Sequence, residues 1–329
     1  MIPRGRRMPI PLERVNGPKP QPERQPELKY TYDPTPNQCN VVKGILQKAT
    51  NFPFEIIDIV MDLAEYWACS IASMDYSVNA NQHLPYLAIQ NGDPGDAFLL
   101  RTEPLGFTTW HSDDQGRWQA AAPARKLEEE YTKEELESFI ESPHVELKHP
   151  VRKIVFDIVS RDQGWGGEPN TNGSFRSSWT WFDVGVDRFD KGHIRSAEDI
   201  ESSKSETSNS TEQALPTSAI RPVWPPLNES LSDYNHQLCP IADHMIQSNR
   251  VAERDWQHHH IEWSWTDDID PNSREAEELE ACGRGSATGD GRFLNSLKPG
   301  DMVTVWGHAR FGGWVNKVQK VQVRVYWAL

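Results

Sequence analysis

The amino-acid sequence predicts a mainly β protein, built as an antiparallel β-sandwich with accessory helices. Ten of the thirteen tryptophans lie after residue 150, and most of them sit in runs where apolar and polar residues alternate. Alternation with a period of two is typical of a strand that buries one face. Glycine and proline turn signals separate these runs, and an apolar pattern with helical spacing precedes them. Together these observations favour a sandwich behind a short helical region.

Composition excludes several classes of protein. The chain has 329 residues and a net charge of −14, with 48 acidic against 34 basic residues, so we expect no nucleic-acid partner. No apolar run approaches the roughly 18 residues of a membrane helix, and the N-terminus lacks the apolar core of a secretory signal. The four cysteines form no CxxC pair. We therefore predict a cytoplasmic or nuclear protein whose partner is a protein or a glycan, with no membrane association.

The first 36 residues form a proline-rich basic tail, with nine prolines and seven Lys or Arg. Such a segment cannot bury enough apolar surface to offset its ordering entropy, so it is predicted to be disordered. Residues 37–74 are predicted to form a helical hairpin. Ile45 belongs to its first apolar stripe and Ile56, Val60 and Leu63 to its second. The apolar face is too large to stand alone, so it docks either on the rest of the chain or on a partner.

Residues 75–144 are predicted to be a mixed segment with one short helix. The runs YLAI and AFLL lie between turn signals and are expected to be short strands. Thr132 and Glu135 match a capping box, and Pro143 ends the helix that begins there.

The sandwich itself is predicted over residues 145–329. Strands are expected in VRKIVFDIVS, SFRSSWTWFDVGV and IEWSW, and the most regular pair lies at the end of the chain. Residues 187–222 contain almost nothing apolar and are predicted to be a disordered insertion. Asp270 as N-cap, Pro271 as first residue and Gly283 as stop indicate a further helix.

Three blocks resemble a family of uncharacterised fungal proteins. They are FPFEIIDIVMDLAEYW (52–67), the segment 151–186 with DQGWGG and SWTWFDVGV, and residues 291–328. The first block is also similar to the start of an F-box, although an F-box needs further helices and residues 75–125 do not read as helical. The later blocks look like a jelly-roll-like antiparallel β-sandwich of the galactose-binding-like, F-box-associated type. The resemblance implies a recognition domain and carries over no catalytic residue.

Candidate ligand-binding residues lie in the two aromatic-glycine turns, DQGWGG and ARFGGW. Trp165 and Trp314, with Arg176 and Arg310 nearby, have the chemistry to stack on a sugar ring or grip a peptide. The alternative is that each tryptophan folds back and caps the core. The tryptophan pairs 179/181 and 263/265 are interpreted as core-facing.

The metal candidate is the set His258, His260 and Glu262, which share one face of a strand. The competing interpretation is that this face is simply exposed to solvent. A structural calcium at Asp162 or at the cluster beginning with Asp267 is a further hypothesis. Because neither pattern has the full spacing of a known metal motif, no cofactor is expected.

These observations favour a non-enzymatic recognition or adaptor protein that binds a protein or glycan ligand through sandwich-end loops. No catalytic residue is assigned, because the sequence contains no nucleophile elbow and no assignable carboxylate pair. The alternative is a carbohydrate-active or metal-dependent enzyme on the same scaffold.

Overall fold

The computed structural model describes residues 32–78, 84–90, 95–107, 110–136, 139, 150–195, 215–228 and 230–328. Over these residues the protein is mainly antiparallel β, with two five-stranded sheets that pack as a sandwich and a helical hairpin before them. The predicted fold class is therefore confirmed. The only part of the predicted tail that is described begins at Tyr32, and residues 1–31 lie outside the described residues.

The first sheet, sheet A, has the order β1 (Ala68–Asp75), β12 (Val315–Trp327), β4 (Val151–Arg161) and β10 (Gln257–Ser264), and β2 (Leu87–Gln90) also pairs with β12. The second, sheet B, has the order β3 (Asp96–Arg101), β11 (Met302–Ala309), β5 (Thr180–Phe189) and β6 (Ile220–Trp224), and β9 (Met245–Ser248) also pairs with β5. A small ribbon joins β7 (Leu227–Asn228) to β8 (Asp233–Tyr234).

The core lies between the two sheets, where alternate residues of each strand point inward. On sheet A, Val323 of β12 stands opposite Phe156 of β4, and both are fully buried. On sheet B, Val305 of β11 stands opposite Val184 of β5, also fully buried. The regular valine alternation near the end of the chain therefore predicted two strands correctly, and the structure places one inside each sheet rather than pairing them with each other.

The helical hairpin consists of α1 (Pro36–Thr50) and α2 (Phe54–Leu63). Thr35 and Gln38 form a capping box at the start of α1, and the left-handed Asn51 ends it. Ile57 and Met61 of α2 are buried in the same apolar cluster as the sandwich strands. The hairpin thus docks on the sandwich, which is one of the two outcomes left open by the sequence.

Within the described residues, four shorter α-helices lie in the connections: α3 (Gln115–Trp118), α4 (Lys133–Leu136), α5 (Arg274–Ala281) and α6 (Arg292–Ser296). The capping box of α4 is present, since Thr132 and Glu135 exchange hydrogen bonds of 3.0 and 3.3 Å. The cap predicted for α5 was wrong. Ser273 caps this helix through a hydrogen bond from Ala276 N, and Pro271 precedes it.

The predicted boundaries of the hairpin and the sandwich need correction. Residues 68–75 form a strand and not the end of a helix, because β12 supplies a full ladder of partners for them. β2 and β3 likewise pair with β12 and β11, so the sandwich does not begin at 145. The chain from β1 to β3 contributes to both sheets. Pairing with strands more than 200 residues away is not visible in local periodicity.

The predicted insertion at 187–222 also needs correction at both ends. Asp187 and Phe189 belong to β5, and Ile220 and Arg221 pair with it from β6. Residues 196–214, the middle of the predicted insertion, lie outside the described residues. Across the described part of the chain, no helix has the length and apolar character needed to cross a membrane.

Candidate functional site

The two glycine turns singled out in the sequence lie side by side at one end of the sandwich. The first (162–167) follows β4, and the second (310–314) joins β11 to β12. Gln163 Oε1 accepts a hydrogen bond from Val315 N at 3.1 Å. The ring of Trp165 lies 3.5 Å from the position that a Cβ on Gly313 would occupy. Because β4 pairs with β12, two turns about 150 residues apart in the sequence are brought into contact.

The first turn depends on glycine. Gly164, Gly166 and Gly167 have φ angles of 85°, 90° and 87°, a region that residues with a Cβ rarely adopt. A Cβ on Gly167 would also collide with the side chain of Val251. The path of the turn therefore requires glycine at these positions, and that path determines where Trp165 is presented.

Asp162 anchors the same turn from inside the protein. Its fully buried carboxylate accepts hydrogen bonds from the backbone N–H groups of Gly164, Ala252 and Glu253 at 2.7, 2.5 and 3.0 Å. Burial raises the pKa of Asp162, and the three N–H donors offset only part of that effect. Because these donors already occupy both carboxylate oxygens, the geometry describes a turn anchor and not a calcium ligand.

Four aromatic side chains gather around the two turns, and we call them the sandwich-end aromatic cluster: Trp165, Trp179, Phe311 and Trp314. Trp165 is 62% exposed and Phe311 is 43% exposed. The backbone of Phe311 has a positive φ of 63°. Trp179 packs edge-to-face on Phe311 with ring centroids 4.6 Å apart. Trp314 is partly buried. The cluster is thus open to solvent at Trp165 and Phe311, and Trp179 and Trp314 are its partly buried members.

The other predicted contact residues and tryptophans have different surroundings. Arg176 is exposed. Arg310 is buried, where it donates to Asp96 Oδ1 at 2.6 Å and to Gly95 O at 2.9 Å, so it holds β3 in place and does not face solvent. Trp263 lies in the core between the sheets as predicted, with Trp265 packed against it. For the pair 179/181 the core-facing prediction was wrong: Trp181 is buried on the outer face of sheet B, where it stacks on His308, and Trp179 is partly buried.

The predicted metal set lies on the outer face of sheet A. His258 and His260 are more than half exposed, and both contact Asp157 Oδ1, at 3.3 and 2.7 Å. The same carboxylate accepts from Arg324 at 2.8 Å. Glu262 is exposed further along the strand. The two histidines therefore share the carboxylate of Asp157 on a solvent-facing surface, and Arg324 already neutralises that carboxylate.

A buried polar cluster that the sequence did not reveal lies on the outer face of sheet B. His308 of β11 is 2% exposed and lies between two carboxylates: its Nδ1 is 2.6 Å from Asp96 Oδ1, and its Nε2 is 3.3 Å from Asp183 Oδ2. Trp181 stacks on the imidazole at 5.0 Å, and His236 packs edge-on at 5.3 Å. Strands β3, β11 and β5 each contribute one charged residue to this cluster.

The pKa values of the two histidines in this cluster are shifted in opposite directions. Burial by itself lowers the pKa of His308, but Asp183 and Asp96 outweigh that effect and raise it. Burial lowers the pKa of His236 to about 4, so His236 is neutral near pH 7. Burial would raise the pKa of Asp96, but the hydrogen bond from His308 and the nearby cationic groups lower it overall.

Among the described residues, Asp96, His236 and His308 form the one group whose ligand atoms lie close enough, within 4.8 Å of one another, to surround a metal ion. Two observations favour a different role. The same oxygen of Asp96 already accepts from both His308 and Arg310, each at 2.6 Å. A divalent cation bound there would lie against the Arg310 guanidinium. We therefore describe these residues as an ion-pair network.

A signal for this network was present in the sequence. In β11 and just after it, the alternate positions Thr304, Trp306, His308 and Arg310 are polar or amphipathic, whereas Val303 and Val305 face the core. Alternation marks these positions as one face of the strand but does not say whether solvent or another segment of the chain covers that face. They are buried because the segment that includes Tyr234 and His236 covers this face, with both rings 4.8 Å from Trp306.

Comparison with protein-family models, with curated proteins and with solved structures found no match to this chain.

Proposed function

We propose that the protein is a non-enzymatic recognition protein that binds a glycan or protein ligand on the sandwich-end aromatic cluster. The observation that carries the proposal is the 62% exposure of Trp165 on a turn fixed by Asp162 and three left-handed glycines. A large aromatic ring held in water by a rigid turn loses little conformational entropy on binding. Its flat face suits stacking on a sugar ring or on an apolar peptide side chain.

The test replaces the exposed rings. Trp165→Ala and Phe311→Ala remove stacking area, and we expect each to weaken ligand binding at least tenfold with little change in thermal stability. Glycan-array and peptide-array screening of the full chain identifies the ligand, and titration calorimetry measures the affinity. Leu231→Ala is the control, because Leu231 is 72% exposed and lies outside the cluster. Equal binding by the wild type and both aromatic variants would contradict the proposal.

A second surface supports an adaptor role. The α2 residues Ile56, Ile59, Val60 and Leu63 form one stripe at helical spacing and are 42% to 82% exposed. The opposite stripe, with Ile57, is the one that docks on the sandwich. An apolar stripe left in water on a docked helix is typical of a protein-binding surface. The F-box-like resemblance of residues 52–67 suggests a cullin-ligase linker protein as the partner, which places the protein in the cytoplasm or nucleus.

Pull-down with purified linker protein tests the adaptor role. Leu63→Glu and Ile59→Glu introduce a charge into the stripe, and we expect them to abolish capture while the fold is kept. Val78→Glu is the matched control, because Val78 is 76% exposed and lies outside the hairpin. Absence of capture by the wild-type chain would refute the adaptor role and leave the ligand-binding proposal unaffected.

The enzyme alternative has less support. A metal-dependent enzyme needs an open coordination position. In both histidine groups an arginine instead neutralises a carboxylate. Arg324 pairs with Asp157 beside His258 and His260, and Arg310 pairs with Asp96 beside His308. Metal analysis of the purified protein decides the matter, since one equivalent of bound zinc would restore this alternative.

A further inference from the structure

Arginines line a cavity at the end of sheet B opposite the sandwich-end aromatic cluster. It has a volume of about 410 Å³, and its lining includes Arg101, Arg117, Arg125, Arg221, His193 and Thr217. It lies beside the Asp187 end of β5, whereas the aromatic cluster lies at the Trp179 end. The two sites are therefore separate, and a ligand in this cavity is independent of the proposed function.

Distant parts of the chain build this cavity. Arg101 is the last residue of β3, and Arg117 belongs to α3. Arg125 lies in the loop after α3, and Arg221 is the second residue of β6. None of the described residues that line the cavity is Asp or Glu. Three of the arginines also have a carboxylate behind the wall: Asp187 beside Arg101, Asp190 at 3.7 Å from Arg221, and Asp114 beside Arg117. The cavity itself therefore presents guanidinium groups and no described carboxylate, in a chain with a net charge of −14.

Two of the four arginines are buried and held in place. Arg101 Nε donates to Asp187 at 2.8 Å, and its Nη1 donates to the carbonyl of Trp118 at 2.9 Å. Arg221 Nη1 donates to the carbonyls of Ser218 and Ile220 at 2.7 and 2.8 Å. These contacts fix the guanidinium groups at the wall of the cavity before any ligand arrives.

The other two arginines, Arg117 and Arg125, are exposed, and no buried carboxylate pairs with them within the described residues. The Arg117 side chain is 64% exposed and makes only a 3.4 Å contact with Asp114, itself about half exposed. Arg125 is exposed, and its guanidinium makes no hydrogen bond or ion pair within the described residues. A guanidinium fork matches the paired oxygens of a phosphate and binds them bidentately. These two side chains are thus available to a bound anion.

A buried hydroxyl also points to a ligand. Thr217 is 4% exposed, and its Oγ1 has no hydrogen-bond partner among the described residues. A buried polar group without a hydrogen-bond partner destabilises the fold. Thr217 lines the cavity, so the oxygen of an anion bound there would accept its hydrogen bond. Next to it, Ala122, Pro123 and Ile220 supply apolar wall.

We propose that this cavity binds a phosphorylated small molecule. The phosphate group pairs with Arg117 and Arg125 and accepts from Thr217, and the remainder of the molecule lies against the apolar wall. The volume is larger than a phosphate ion requires and falls in the range of small-molecule pockets. Arg101 and Arg221, which are paired with Asp187 and Asp190, complete the guanidinium wall around the bound group.

Titration calorimetry on the full chain tests the proposal with inorganic phosphate, pyrophosphate and glucose 6-phosphate. Glucose and citrate are the comparison ligands, the first without charge and the second with carboxylates only. We expect glucose 6-phosphate to bind more tightly than inorganic phosphate, and glucose not to bind. Absence of binding by all three phosphates at millimolar concentration overturns the proposal, and so does tighter binding of citrate.

Variants locate the site. Arg117→Gln and Arg125→Gln each remove one charged contact and should weaken glucose 6-phosphate binding about tenfold. Thr217→Val keeps the shape and the charge and should weaken binding by a smaller factor. Arg274→Gln is the control, because its side chain is 85% exposed on α5 outside the cavity. An equal loss in Arg274→Gln would assign the binding to general surface charge and overturn the site.

Discussion

At the residue scale, the most informative groups are the buried histidines, because their pKa values shift in opposite directions. His308 gains two carboxylate partners, Asp96 and Asp183, and its pKa rises. His259 is 8% exposed, and its Nε2 has no hydrogen-bond partner among the described residues. Its pKa falls to about 4, because of burial and then the charges of Arg250 and His258. The two residues therefore give the stability of the fold opposite dependences on pH.

We predict that His308→Gln destabilises the protein by about 3 kcal/mol at pH 6, because it leaves two carboxylates without their shared cation. A histidine whose pKa is raised in the folded state stabilises the fold fully below its unfolded pKa of about 6.5. That contribution is lost as the pH rises through the folded pKa. Urea unfolding at pH 6 and pH 9 should show a smaller difference at pH 9. His258→Gln, at an exposed site, should change the free energy of unfolding little at either pH.

His259→Leu should act in the reverse sense. Because the folded pKa is lowered, the unfolded chain takes up a proton between about pH 6.5 and pH 4 that the folded chain does not, and the wild type loses stability over that range. Leucine removes both this penalty and an unpaired buried nitrogen. We expect the stability of His259→Leu relative to wild type to improve by about 2 kcal/mol between pH 7 and pH 4.5. An unchanged difference across this range in urea unfolding would show that His259 protonates equally in both states.

At the element scale, α2 shows how two apolar stripes on one helix have different roles. Ile57 is 1% exposed and belongs to the core cluster, whereas Ile59, two residues away, is 54% exposed. We predict that Ile57→Ala costs about 2–4 kcal/mol, since it leaves a cavity between hairpin and sandwich. Ile59→Ala should change the free energy of unfolding by no more than about 0.5 kcal/mol. Urea unfolding of the two variants measures both costs, and a cost at Ile59 equal to or larger than that at Ile57 would contradict docking through the Ile57 stripe.

The elements also differ in how far their own residues predicted them. The alternation in β4, β11 and β12 predicted three strands, since each carries its own apolar period, and all three lie inside their sheets. The register of β1 was not predictable, because the residues 68–75 become a strand through a ladder with β12 at the other end of the chain. Of the candidate site, Trp165 was predictable from its glycine turn. The burial of the His308 network was not, because the alternating polar positions of β11 mark one face but the segment that covers them has no periodic pattern of its own.

At the scale of the whole molecule, the two ends of the described chain belong to one structural unit. The described residues from 33 to 328 form a single compact unit, and β1 pairs with β12 along eight positions. β3 covers one side of β11 over five paired positions. Removing residues before 145 would therefore expose one edge of β12 in sheet A and one edge of β11 in sheet B. Exposed edges of apolar strands pair with other chains.

This topology predicts different outcomes for two truncations. A fragment 33–329 should unfold cooperatively with the same midpoint as the full chain, because it keeps every strand of both sheets. A fragment 145–329, which the sequence pattern alone had suggested as a domain, should be insoluble or fail to give a cooperative transition. Circular dichroism and size-exclusion chromatography compare the two. A soluble, cooperatively folding fragment 145–329 would show that β1 to β3 are dispensable additions to a sandwich that is already complete.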